Sequence, residues 1–295
     1  MKADKLVVNG SELVWGKRTY IMGVLNLTDD SFSGDGLFTG TGKNYIETAI
    51  GQARQFIDAG VDILDIGGES TRPGANPLGV EEEMERVIPV VSAIAAEFDT
   101  LISVDTYKAA VAKAALNSGA NLVNDVWGLK ADPEMSNVVA RSNAPVILMH
   151  NRSSWAHAQI KENLGGRYVG MEYEDLMQDV RRELLESISL AQSAGVPDEN
   201  IILDPGIGFG KTVEQNLELI DRLSEFQSLG YPILLGPSRK SFIGFTLDLP
   251  PNQRLEGTAA VVVVSITRGA DIVRVHDVEF MSRLIRMTDA IVRRK

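Results

Sequence analysis

One recurring pattern limits the folds open to this chain more than any other feature. A helix-like segment ends at glycine, and a short apolar run follows that closes on a polar residue. It appears as DAGVDILDIGG at 58–68, NSGANLVNDVWG at 117–128, SAGVPDENIILDPG at 193–206 and TRGADIVRVHDV at 267–278. Glycine just past a helix takes the left-handed position that stops it. The near-continuous Ile, Leu and Val runs suit strands buried on both faces, as in parallel sheets. Counting all such runs predicts eight strands, at 19–27, 62–68, 101–106, 122–126, 145–150, 201–206, 232–238 and 271–277. Helical patterns lie between them at 43–59, 78–97, 107–118, 171–194, 212–229, 256–268 and 278–294; in 78–97, Val80, Met84, Val87, Ile88, Val91 and Ile94 share one face.

Alternating βα units with no internal linker predict a single (β/α)8 TIM barrel over 19–295, with a doubly wound open sheet as the alternative. Residues 1–18 stand apart. LVVNGSELVW reads as a β-hairpin with an Asn-Gly turn, placed to close the bottom of the barrel.

Composition narrows the function classes. The 295 residues carry 29 Lys and Arg against 40 Asp and Glu, a formal charge of -11. Such a surface repels nucleic acid and anionic membranes, so neither is an expected partner. The absence of cysteine rules out disulfides, thiolate zinc sites and a thiol nucleophile. No apolar run reaches the length of a membrane span, and MKADKLVVNG lacks a signal-peptide core, so a cytoplasmic protein is expected.

A barrel of this kind does its chemistry at the C-terminal ends of its strands. Those ends supply Asn26, then Gly67 to Pro73, Asp105, Asn124, Met149 and His150, Asp204, Ser238 to Ser241, and Arg274 with His276. Arg274 and His276 are two apart on one strand and point the same way. With Arg239 and Lys240 they predict a cationic corner fit for a phosphate or pyrophosphate, unless carboxylates such as Asp277 take them up. Asp105, Asn124 and Asp204 suit a flat heterocycle with alternating donors and acceptors. The long loops NLTDDSFSGDGLF and GGESTRPGA, with Phe32 and Phe38, read as lids. DPGIGFG at 204–210 lacks the full dinucleotide fingerprint. His150, His157 and His276 are not at zinc spacing, and His157 falls in the polar stretch 151–170, expected to be a solvated loop.

Seven motifs together carry a resemblance. IMGVLNLTDDSFS, DIGGESTRPGA, SVDTYKAAVAKAAL, NDVWGL, ILDPGIGFGKT, SRKSFIG and VRVHDV resemble, in order, those of the dihydropteroate synthase family of folate biosynthesis, over about 19–290. The resemblance implies condensation of 6-hydroxymethyl-7,8-dihydropterin pyrophosphate with p-aminobenzoate, releasing pyrophosphate. By the same resemblance, Asp105, Asp204 and Lys240 are catalytic. Asp105, Asn124, Met149, Asp204, Phe209, Lys240 and Arg274 hold the pterin. Asn26, Thr71, Arg72, Arg274 and His276 hold pyrophosphate, with Asn26 also on Mg²⁺. Phe32, Ser33, Thr71, Pro73, Lys240 and Ser241 meet p-aminobenzoate. The resemblance also implies a homodimer and sulfonamides as competitors. The chain departs from the family at Asp29, where proline is usual, at Gly34–Asp35–Gly36, and at Trp127. Two other readings share the pterin-binding barrel: a methyltetrahydrofolate–corrinoid methyltransferase and a non-catalytic pterin-binding protein.

Overall fold

A computed structural model describes residues 4–28, 44–70, 77–153, 158–161, 164–168 and 170–294. The hairpin comes first, β1 (Lys5–Val8) against β2 (Ser11–Val14), antiparallel, with Asn9 and Gly10 at its turn. Eight parallel strands follow: β3 (Tyr20–Asn26), β4 (Ile63–Gly67), β5 (Leu101–Asp105), β6 (Leu122–Asp125), β7 (Val146–Met149), β10 (Ile201–Asp204), β11 (Leu234–Leu235) and β12 (Ile272–Val275). Their order in the sheet is β10-β7-β6-β5-β4-β3-β12-β11. A parallel bridge between Leu203 and Ile233 joins the two ends, so the sheet closes into a barrel.

Strand parity sorts the core. Ile21, Leu25, Leu64, Ile66, Ile102, Val104, Val123, Leu148, Leu203 and Val273 pack outward against the helices. Met22, Ile63, Leu101, Leu122, Ile147, Ile202, Leu234 and Ile272 fill the lower barrel interior, and the hairpin's Leu6 and Leu13 join that cluster. Two residues further along the same strands, the inward positions turn polar: Asp65, Ser103, Asn124, Asp204 and Arg274. One dry layer below a polar layer gives the barrel a closed bottom and a chemically active mouth.

The helices are α1 (Asn44–Asp58), α2 (Val80–Glu97), α3 (Ala109–Asn117), α4 (Met135–Ser142), α5 (Leu176–Ser193), α6 (Val213–Asp221), α7 (Ser241–Leu247), α8 (Leu255–Thr267) and α9 (Val278–Val292). Several differ from the sequence expectation. The helix expected over 212–229 is two pieces, α6 and a 3-10 segment, Leu223–Leu229. The strand expected over 232–238 is two residues long, because pairing stops before Gly236 and the chain turns at Ser238 and Arg239, closed by the Lys240 N–H to the Pro237 carbonyl. The polar stretch 151–170 contains an antiparallel pair, β8 (Ala158–Lys161) and β9 (Gly165–Tyr168). Helices α4 and α7 were not expected at all.

Candidate active site

The site is built on the polar layer. Asp65 lies in the middle of β4, fully buried. Its Oδ2 accepts from Arg274 Nε at 2.5 Å and from Asn124 Nδ2 at 3.1 Å. The other arm of Arg274 donates from Nη2 to Asp105 Oδ2 at 2.6 Å. One guanidinium therefore bridges two carboxylates across the barrel, and Asn124 extends the row. Burial pushes the Asp105 carboxyl up to about 7, against the pull of Arg274, and the neighbouring Asp65 charge adds to the rise.

Asp204 ends β10. Its Oδ1 accepts from the backbone N–H of Gly206 at 2.7 Å, and burial raises its pKa while Lys240 opposes. Lys240 donates from Nζ to the carbonyl of Ile207 at 2.6 Å and lies 4.6 Å from the centre of the Phe209 ring. Burial brings the Lys240 ammonium down to about 8, partly offset by Asp204. Val126, Met149 and Phe209 form an apolar cluster with Tyr107 and Trp127 against it. The pocket thus offers a carboxylate–guanidinium–amide row and an apolar wall with a cation on its face, which suits a flat, hydrogen-bonding heterocycle.

The glycines of DPGIGFG serve close packing. Gly206 has φ +72, and a Cβ there would stand 1.8 Å from the carbonyl oxygen of His150. Gly208 has φ +83, and its Cβ would meet Lys240 Cδ at 2.9 Å. A side chain at either position would separate Asp204 or Phe209 from the pocket.

Arg239 and Lys240 are adjacent in sequence and part company in the structure. Arg239 takes the left-handed conformation, φ +57, which splays the two side chains. Lys240 turns into the pocket. Arg239 turns out to Asp277, with Nη2 to Oδ1 at 2.6 Å and Nε to Oδ2 at 3.0 Å. This corrects the expected cationic corner: the carboxylate alternative holds for Arg239. Arg274 belongs to the layer of Asp65 and Asp105, and its side chain keeps 20% of its surface open to the mouth. His276 stands above it, its Nδ1 2.9 Å from the hydroxyl of Ser238, which also accepts the His276 backbone N–H at 3.2 Å. Asn26 is half-buried at the end of β3, and Ser241 opens α7 directly after Lys240.

The expected contacts at Phe32, Ser33, Thr71, Arg72 and Pro73, the loop differences at Asp29 and Gly34–Asp35–Gly36, Phe38 and His157 lie outside the described residues. Asp65 was not among the expected site residues, because it lies mid-strand and not at a strand end. The signal was present: a carboxylate inside the apolar run DILDIGG, on the inward parity of β4, is costly to bury unless it is paired.

A closed barrel with this mouth defines an enzyme that grips a planar heterocycle at the C-terminal ends of its strands. The profile of the pterin binding enzyme family matches residues 22–276, and the chain belongs to that family. It is 51% identical over 288 residues to the dihydropteroate synthase of Clostridium beijerinckii, covering 97% of this chain and 99% of that one. A crystal structure of dihydropteroate synthase from Clostridium difficile in the presence of pteroic acid superposes with a TM-score of 0.84 at 48% identity, over 95% of this chain and 99% of that one. The Yersinia pestis enzyme in complex with a sulfonamide drug superposes with a TM-score of 0.87 at 37% identity, over 97% and 98%.

Proposed function

We infer that this chain is a transferase that condenses 6-hydroxymethyl-7,8-dihydropterin pyrophosphate with p-aminobenzoate, giving 7,8-dihydropteroate and pyrophosphate for folate biosynthesis. The observation that carries the reading is the row Asn124–Asp65–Arg274–Asp105 inside the mouth, in a chain similar over its whole length to dihydropteroate synthases.

The residue roles follow as part of the proposal. Asn124, Asp204 and Lys240 take the pterin edge, with Met149 and Phe209 against its face. The C–O bond to pyrophosphate breaks, leaving a cation delocalised into the pterin. The ionised carboxylates of Asp105 and Asp204 stabilise that cation in a site of low dielectric, where such a field costs no reorganisation. The amine of p-aminobenzoate then forms the C–N bond and gives up its proton. Arg274, His276 and Asn26 face the leaving group, and Thr71 and Arg72 join them on the family's pattern. Phe32, Ser33, Pro73 and Ser241 take the arylamine, where sulfonamides compete.

Asn26 offers one amide oxygen at the strand end, which fits an ion that binds mainly through substrate phosphates and water. Mg²⁺ held there would supply charge neutralisation on the leaving pyrophosphate. No helix among the described residues is long and apolar enough to cross a membrane, and a cytoplasmic location is part of the same reading. Val264 on α8 and Met287 and Ile291 on α9 are exposed apolar residues that support pairing of two copies.

Measuring pyrophosphate release with both substrates tests the function. Release should depend on p-aminobenzoate and stop when either substrate is left out. Binding without turnover would favour a pterin-binding protein, and methyl transfer from methyltetrahydrofolate would favour the methyltransferase.

A further inference from the structure

Lys211 closes the GIGFGK stretch, where a lysine is readily read as a phosphate ligand. Its position excludes that role. It is 3% exposed, and its ammonium is taken up by protein acceptors. Nζ donates to the carbonyl of Gly206 at 2.8 Å, to the carbonyl of Phe209 at 3.1 Å and to His150 Nδ1 at 3.0 Å. Three partners use all three donors of an ammonium. An acceptor at Nδ1 fixes the neutral imidazole with its proton on Nε2, which donates to Glu183 Oε2 at 3.0 Å. Arg152 holds Glu183 in turn, with Nε 3.0 Å from Oε1 and 3.1 Å from Oε2. Burial agrees with the neutral imidazole, since it lowers His150 to about 3; it works against the Lys211 ammonium, lowering it to about 7, and the nearby Asp204 charge opposes that fall.

The turn that Lys211 grips is the one that presents Asp204 and Phe209 to the pocket. Gly206, whose carbonyl Lys211 takes, gives its N–H to Asp204 Oδ1. Phe209, whose carbonyl Lys211 also takes, lays its ring beside Lys240 Nζ. Lys240 holds the carbonyl of Ile207, between them, from the pocket side. The turn is clamped between two ammonium groups, one in the site and one behind it. Thr212, next after Lys211, caps α6 through a reciprocal capping box with Gln215, which fixes the far end of the turn.

We propose that Lys211 and His150 are positioning residues for the pterin site, holding the 206–209 turn from behind so that Asp204 and Phe209 meet the heterocycle. The proposal rests on the pterin reading of that pocket. An apolar residue at 211 leaves the carbonyls of Gly206 and Phe209 without their buried donor, and the turn relaxes away from Lys240.

The test compares wild type with Lys211→Met, His150→Gln and His150→Asn, varying each substrate in turn. Lys211→Met and His150→Gln should raise KM for the pterin pyrophosphate about tenfold or more, the scale of one lost charge-assisted hydrogen bond. KM for p-aminobenzoate should move less than about twofold, because that substrate does not touch the turn. His150→Asn keeps an acceptor at the Nδ1 position and should lie near wild type. A merely structural role would reduce the active fraction without splitting the two KM values. Folded Lys211→Met and His150→Gln with an unchanged pterin KM would overturn the proposal. If Lys211→Met does not fold, His150→Gln against His150→Asn decides. Wild type without turnover would overturn the functional reading instead. Calorimetric titration of the same proteins with the pterin pyrophosphate alone still reads the positioning role in that case.

Discussion

Asp105 is the residue on which the chemistry and the stability of the site pull in opposite directions. It has to be ionised to stabilise a pterin cation, yet burial holds its proton up to about 7. Between the ordinary carboxylate value of 3.8 and about 7, the unfolded chain has released this proton and the folded chain still holds it. The fold therefore loses stability as pH rises through that window, and above about 7 the cost stays constant. Asp105→Asn removes the cost and the catalytic charge together. The variant should melt above wild type at pH 8 and level with it near pH 4 by calorimetry, and its kcat should fall about 100-fold, the scale of one lost preorganised electrostatic partner. In wild type, kcat/KM should rise as pH passes upward through about 7, and the variant should lack that limb. A folded variant that keeps normal turnover would remove Asp105 from the mechanism.

At the scale of elements, Arg254 ties the loops around the mouth together. Its buried guanidinium donates to the carbonyls of Leu249 after α7, Arg239 in the β11–α7 turn and Leu164 between β8 and β9. Burial lowers its pKa to about 10. Arg254→Lys keeps the charge and loses the planar fork that reaches three carbonyls at once. It should cost about 1–3 kcal/mol in chemical denaturation, from buried acceptors left without donors. Hydrogen exchange should quicken at 164–168 and 239–241 while β3 to β6 keep their protection; exchange unchanged in both segments would show that the three elements hold without it. These connecting pieces were also the least legible in the sequence. The eight barrel strands were readable because buried parallel strands are short, near-continuous apolar runs closed by polar residues, although β11 proved shorter than expected. β8 and β9 were hidden because each is only four residues long in a largely polar stretch: AQIK alternates too briefly to stand out, and GGRY does not alternate. Helix α7 is short and begins at Ser241, directly after a stretch dominated by its cations. Arg239 was half legible: sequence placed it at the rim, but its left-handed backbone, which sends it to Asp277, depends on contacts with Thr258 and Arg254 that are distant in the chain. Asp65 was legible by parity, but it sits mid-strand, below the strand ends that supplied the expected site residues.

At the scale of the whole molecule, an acidic enzyme has to admit an anionic substrate. The formal charge is -11. Within the pterin layer, Asp65, Asp105 and Asp204 face Arg274 and Lys240, so the described polar layer is not a cationic funnel. Arg239, which would have added a positive charge, is neutralised by Asp277. Two electrostatic effects then act on the pterin pyrophosphate with opposite signs. At long range the protein repels it, and salt screens that repulsion, with a Debye length of about 10 Å at about 0.1 M ionic strength. At contact range the cations of the mouth attract it, and partly buried pairs are screened much less. The association rate reports the first effect and the dissociation rate the second. Without divalent ions, raising ionic strength from about 0.02 M to about 0.2 M should speed association of the pterin pyrophosphate by roughly threefold, within the range of steering effects. Dissociation should barely change, and the same pterin without its pyrophosphate should show no salt dependence. Trp127, against the Met149–Phe209 wall, provides a fluorescence signal for stopped flow. Association that slows with salt would mean that cations around the mouth outweigh the net charge of the molecule, and that the acidic surface is patterned to leave the entrance positive.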